Sequence, residues 1–288
     1  MGTGNNGYFP SMKGIIFILS VIIIHRKLNH LIIKLTLPFF FFFSFFSVKT
    51  GKAQSWQFGI KGGLSLPNLT SAGGASDVSR GYKTISGPDF ALFADYKLSD
   101  KFFLEADLEW STQGGQKSGL QTIPAIPDLA QYFPPGTQYL YANFTSTVRL
   151  QYLMLPVMLK YTMNLGKSGK WRLYVDGGIF GGLLMTANAS ASGSSKVYLD
   201  KEQTQPLGSL AVNFDSTGNI KNQLHEGNFG IEGNLGLLYQ SSSMALFMEA
   251  GGNYGFIDLQ KNSQNGINHT GALIFRIGVL FQSSKRVN

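Results

Sequence analysis

The stretch FFLEADLEWST, residues 102–112, decides the fold. Phe102, Leu104, Ala106, Leu108 and Trp110 fall on one parity, and Phe103, Glu105, Asp107, Glu109 and Ser111 on the other. Strict alternation at a period of two describes a β-strand with two unlike faces. One face here is wholly apolar, and the other carries three carboxylates in five residues.

The same alternation recurs along the chain. Eight runs show it: Trp56–Leu66, Gly87–Leu98, Phe102–Thr112, Val148–Met163, Trp171–Ala187, Phe229–Gln240, Met244–Asp258 and Gly271–Gln282. Each is as long as a tilted strand needs to cross a bilayer, or longer. The connections alternate in length. Ser99-Asp100-Lys101, Asn164–Lys170 and Ser241–Ser243 are short, whereas 67–86, 113–147, 188–228 and 259–270 are long and rich in Gly, Ser, Asn, Thr and Pro. A soluble sandwich has no reason to gather its long loops at one end. A transmembrane barrel does, with short turns on the periplasmic side and long loops outside. The pattern predicts an all-β fold, an eight-stranded antiparallel up-and-down transmembrane β-barrel.

The aromatics orient the faces. With the apolar parity toward lipid, Trp56, Tyr96, Phe102, Tyr161, Trp171, Tyr239 and Phe281 all fall at the short-turn end. That is the girdle expected at headgroup depth, and Phe90, Trp110, Phe229 and Tyr254 stand at the other rim. The inward parity then carries Lys61, Asp89, Asp95, Lys97, Glu105, Asp107, Glu109, Lys160, Arg172, Asp176, Glu232, Glu249 and Arg276. Eight strands leave room for side chains to fill the interior. Enclosed charges must pair or be hydrated. The expected lumen is therefore an ion-pair network in which Glu105, Asp107, Glu109, Asp176, Glu232 and Glu249 meet Lys61, Lys97, Lys160, Arg172 and Arg276, rather than a wide channel.

Composition sets outer bounds. Among 288 residues there are 24 Lys and Arg, 16 Asp and Glu, and no Cys. The missing thiols exclude a disulfide scaffold, a thiolate zinc site and a Cys nucleophile. The net charge of +8 would fit a nucleic-acid partner, but residues 1–53 contain six of the basic residues and no acidic one. The rest is nearly balanced, so no nucleic-acid partner is expected. Residues 1–53 instead have the pattern of a secretory leader: basic residues, the apolar run Leu35–Val48, then Gly51 and Ala53 at small-residue cleavage positions. A signal peptide over 1–53 cut after Ala53 is expected, leaving 54–288 as the barrel domain. The competing transmembrane helix is disfavoured by the shortness of the run and by Pro38 within it.

FGIKGGLSL (58–66), EWSTQGG (109–115), YLMLPVMLKY (152–161), LYVDGGIFGGLL (173–184) and FGIEGNLGLLY (229–239), taken in that order, resemble the PorT-like outer-membrane β-barrel family. The resemblance spans about residues 54–282. It implies an eight-stranded barrel in the outer membrane of a Gram-negative bacterium, with lipid as its surroundings. One branch of that family is associated with protein secretion. No catalytic residue is implied.

Residues suited to catalysis are few. His25 and His30 lie in the leader, and His225 and His269 in loops, where a solvated histidine is the simpler reading than a Ser-His-Asp site. The Glu105/Asp107/Glu109 row could hold calcium or act as paired acids, but salt bridging across the barrel is the simpler reading. No phosphate loop, dinucleotide glycine pattern or HExxH occurs. No catalytic, cofactor or metal residue is expected, and the chain is read as a non-enzymatic structural or interaction module. Alternatives are a subunit of a secretion or envelope-assembly machine, a narrow pore, an outer-membrane enzyme or a soluble lipocalin-like carrier. Loop 113–147 contains Tyr132, Phe133, Tyr139, Tyr141 and Phe144. It is either a recognition surface for envelope or secretion proteins, or a fold over the barrel mouth or strand extension above the membrane.

Overall fold

In a computed structural model, residues 56–71, 77–125 and 133–282 are described. The expected signal peptide at 1–53, its cleavage point and Tyr132 lie outside these residues. Among them, eight long strands form one closed antiparallel ring. They are β1 (Trp56–Ser71), β2 (Gly87–Lys97), β3 (Phe102–Pro124), β4 (Tyr139–Leu165), β5 (Trp171–Ser192), β6 (Gly227–Gln240), β7 (Met244–Gly255) and β8 (Asn268–Gln282). Each strand pairs with its chain neighbours, and β1 pairs with β8 from Gln57↔Gln282 to Ser71↔Asn268. Closure leaves the barrel without a free edge, as backbone surrounded by hydrocarbon requires.

Several strands outrun the alternating segments. β3 and β4 stay paired from Gln113↔Leu150 up to Pro124↔Tyr139, so most of the 113–147 "loop" is strand. β5 continues to Ser192 against β4, and its far edge takes on Ser216–Asn219. Val197–Tyr198 adds to Tyr141–Ala142. Beyond the bilayer the outer face of this sheet no longer meets lipid, and its inner face buries polar and small residues such as Gln113, Lys117, Gln121 and Ala142, so the apolar/polar alternation that marks a membrane strand has no cause there. At the same end of the barrel, β7 stops at Gly255 and β8 starts at Asn268, each a few residues from the sequence-based boundary.

Leu108, Ile60, Leu92, Leu155, Val175, Ile179, Leu235, Met248, Phe275 and Ile277 are exposed, whereas Lys61, Asp107, Glu109 and Arg276 are buried. This inversion of a soluble protein makes sense with lipid outside. The short-turn aromatics pack pairwise across neighbouring strands. Trp56 and Tyr96 have ring centroids 4.9 Å apart, Phe102 and Tyr161 5.1 Å, and Trp171 and Tyr239 4.9 Å. Phe281 lies opposite Phe58.

Candidate functional site

The barrel interior is stacked in layers, and β1 samples them in order. Its inward positions run Gly59, Lys61, Gly63, Ser65, Pro67 and Leu69. Near the short turns three rings meet: Phe93 and Phe247 have centroids 5.6 Å apart, and Tyr174 and Phe247 6.3 Å. With Leu238, Ala245 and Leu280 they form a buried apolar cluster. Each ring lies against a glycine directly opposite it on the next strand, Phe93 on Gly59, Tyr174 on Gly236 and Phe247 on Gly278. A Cβ at any of the three would occupy the space of the ring. These glycines therefore make room for a ring in a narrow bore, a role beyond bending the sheet.

The charged layer follows. Arg276 is its hub. Nε donates to Asp89 Oδ1 at 2.6 Å, Nη2 lies 2.8 Å from Glu109 Oε2, and Nη1 contacts Glu232 Oε1 at 3.0 Å and Glu249 Oε1 at 3.2 Å. Lys61 Nζ sits 2.8 Å from both Glu105 Oε1 and Asp107 Oδ2, and 3.3 Å from Glu249 Oε1. Lys160 pairs with Glu105 and, at 3.2 Å, with Asp95, and its ammonium stands 5.0 Å from the Tyr174 ring centroid. Asp176 accepts from Asn234 Nδ2 at 2.8 Å. In all, eight buried carboxylates (Asp89, Asp95, Glu105, Asp107, Glu109, Asp176, Glu232, Glu249) surround three buried cations (Lys61, Lys160, Arg276).

Two residues of the expected network sit elsewhere. Lys97 has the inward parity but lies at the last position of β2, where its ammonium reaches Asp100 in the adjacent turn at 2.7 Å. Its side chain is 37% exposed, so it belongs to the rim. Arg172 is near the β5 start and lines the short-turn mouth with Gln57, Thr162 and Gln240. Among the described residues Arg172 makes no ion pair, and its Nε is buried without a hydrogen-bond partner. Parity sets the side of the wall, while position along the strand sets the depth, and both residues fall at the shallow end.

Neutral partners were absent from the sequence-based list. Tyr174 Oη donates to Glu249 Oε2 at 2.7 Å, and Ser111 Oγ to Asp89 Oδ2 at 2.7 Å. Their inward parity beside acidic rows was the available signal. Tyr174→Phe removes one donor from a buried carboxylate and is expected to lower unfolding free energy by about 1–3 kcal/mol in urea titrations of lipid-refolded protein. A loss near zero would place water at that oxygen.

Above the charges lies a second apolar layer. Leu69, Leu150, Tyr152, Met154, Phe180, Leu184 and Ala187 from the wall meet Leu224 and Leu259 from the connections. Tyr82 packs on this layer from the β1–β2 connection. That connection is fastened by Ser79, which accepts from Ile267 N at 2.7 Å and, through its carbonyl, from Asn268 Nδ2 at 2.9 Å. Lys117 donates to the Val78 carbonyl and faces the Tyr82 ring, 4.7 Å from its centroid. Burial pushes the Lys117 ammonium down to about 8. Among the described residues no group of three His, Asp or Glu has the geometry to hold a metal ion. His225 Nδ1 meets the Asp258 carbonyl at 2.9 Å, and His269 stacks on Tyr254.

Comparison with known proteins follows the same lines. A family model described as "Outer membrane protein beta-barrel domain" matches residues 52–261. In sequence, no curated protein matches the chain. Among solved structures, Neisserial surface protein A is 12% identical, with 78% of this chain and 97% of that chain covered and a TM-score of 0.36. OprG from Pseudomonas aeruginosa is 12% identical, with 80% and 97% covered and a TM-score of 0.35. The outer-membrane protease OmpT from Escherichia coli is 9% identical, with 83% and 99% covered and a TM-score of 0.42. Similarity at this level carries no inference about activity.

Proposed function

The chain belongs to the outer membrane protein β-barrel domain family, and from that premise we propose that it is a non-enzymatic, non-conducting barrel serving as a membrane-anchored structural or interaction module. The observation that carries this is the layered interior. An ion crossing the lumen would have to pass the Phe93–Tyr174–Phe247 cluster, a packed charge layer and the Leu150–Phe180–Leu184 cluster. Opening such a path means breaking close packing at two levels and ion pairs between them. A leader at 1–53, removed after Ala53, would deliver the chain to the envelope. The PorT-like resemblance agrees with this role and adds the secretion machine as a partner class.

Recognition is assigned to the sheet that β3, β4 and β5 raise beyond the barrel. The connection after it carries Leu207, Leu210 and Val212 in the open, with Leu210 82% exposed. Apolar side chains at the tip of a connection are the kind of feature through which envelope or secretion proteins would dock. Planar-bilayer recording of the purified protein tests the central claim. The expected trace is flat at physiological salt. Stable, ion-selective openings of uniform size would replace the module reading with the narrow pore.

A further inference from the structure

The outward face carries a second organised feature, at the level where the apolar band ends. Cross-strand partners share a face of the sheet. One row runs Lys83–Gln116–Thr147–Ser190–Thr217. The next row toward the membrane runs Gly114–Arg149–Asn188–Asn219. Arg149 is exposed on the outside of β4, and Trp110 and Leu153, paired with each other, begin the apolar face below it. Lys221, two residues past Asn219, reaches back to the Met185 carbonyl at 3.3 Å and so stands on the far side of Arg149 from Lys83. Neither row holds an acidic residue. Arg149 is held in place by Ser86, whose carbonyl accepts from Nη1 at 2.9 Å. Below the rows the lipid-facing band of β3 and β4 carries no charge: Trp110, Leu108 and Ala106 line one strand, and Leu153, Leu155 and Val157 the other.

We propose that Lys83, Arg149 and Lys221 form a strip that binds the phosphate groups of anionic outer-leaflet lipids whose acyl chains lie on the apolar band beneath. The inference rests on the outer-membrane reading above. A guanidinium offers phosphate two parallel donors, and the flanking ammonium groups supply charge without fixed geometry. The amide and hydroxyl side chains of the two rows add donors at the same height. Continuity with the band selects a lipid over a free anion. A lipid satisfies the strip and the apolar wall together, whereas inorganic phosphate reaches only the strip.

The test uses intact protein in zwitterionic detergent, with ligand binding followed by tryptophan fluorescence, for which Trp110 is a reporter beneath the strip. The probes are a short-chain phosphatidic acid, a short-chain phosphatidylcholine and inorganic phosphate. Each basic residue near a membrane surface contributes about fivefold to binding an anionic lipid, so K83Q/R149Q/K221Q should bind phosphatidic acid on the order of a hundredfold more weakly. Phosphatidylcholine binding should not change. K101Q/K167Q/K170Q, which removes the same charge at the opposite end, should bind like the parent. The proposal is overturned if the two triple variants lose affinity equally, if K83Q/R149Q/K221Q keeps the parent affinity, or if inorganic phosphate binds as tightly as phosphatidic acid. Heat-modifiable gel migration reports separately on whether the chain forms a barrel in lipid. Its absence would sink the outer-membrane reading itself and the strip with it.

Discussion

Arg276→Ala is expected to destabilise the lipid-refolded barrel by about 3–5 kcal/mol. The guanidinium is fully enclosed and contacts Asp89, Glu109, Glu232 and Glu249. Of these four, Glu249 alone keeps a cation, because Lys61 also reaches it. The rest would be left as buried anions without a cation, which costs far more than the pairing itself contributed. Arg276→Lys should recover little, since an ammonium cannot donate in several directions across a fixed plane. Adding Glu109→Gln and Glu232→Gln to Arg276→Ala should recover a large part, because two of the stranded charges disappear. Urea titration in lipid vesicles reads all three. A loss below about 1 kcal/mol for Arg276→Ala would show that water reaches the charge layer.

Leu108→Arg should cost about 2–4 kcal/mol, by a different route. Leu108 faces outward near the middle of the band on β3, opposite Leu92 on β2. A guanidinium there has hydrocarbon on all sides and must reach toward a headgroup. Its neighbour Asp107 points into the lumen, 2.8 Å from Lys61. Asp107→Asn keeps the shape and a hydrogen-bonding group, and should cost less than Leu108→Arg. Comparing arginine at 106, 107 and 108 separates the faces. Equal tolerance at all three would reverse the assignment of inside and outside.

Much of this was legible in residues 102–112, because lipid and lumen impose opposite demands on alternate side chains. The closed ring follows from eight such runs and their alternating connections. What the sequence left open has physical reasons. The β3–β4 extension could be read as a loop or as a strand because Gly114, Gly115, Ser118 and Gly119 pair beyond the lipid, where no hydrocarbon selects an apolar parity. Lys97 and Arg172 had the parity of network members but not the depth, and parity says nothing about depth. The apolar seals escaped notice because a search of inward positions for charge passes over Phe93, Tyr174, Phe180 and Phe247. Their signal lies in two strands at once, an inward ring on one and a glycine opposite on the next, as in Phe180 and Gly230.

The distribution of charge over the strands bears on how the barrel can be built. The hairpin β2–β3 supplies five carboxylates of the charge layer and none of its cations, since its buried Lys117 lies above that layer, and β6–β7 supplies Glu232 and Glu249. The cations come from β1, β4 and β8. Two of the three therefore sit on the strands that meet last, when the first strand finds the eighth. A lone acidic hairpin entering hydrocarbon would carry its charges uncompensated, at a cost of several kcal/mol. Stepwise insertion of hairpins is thus disfavoured. The acidic walls must stay hydrated until the seam arrives, so closure of the cylinder and its burial in lipid become a single cooperative event, with the β1–β8 seam acting as the latch.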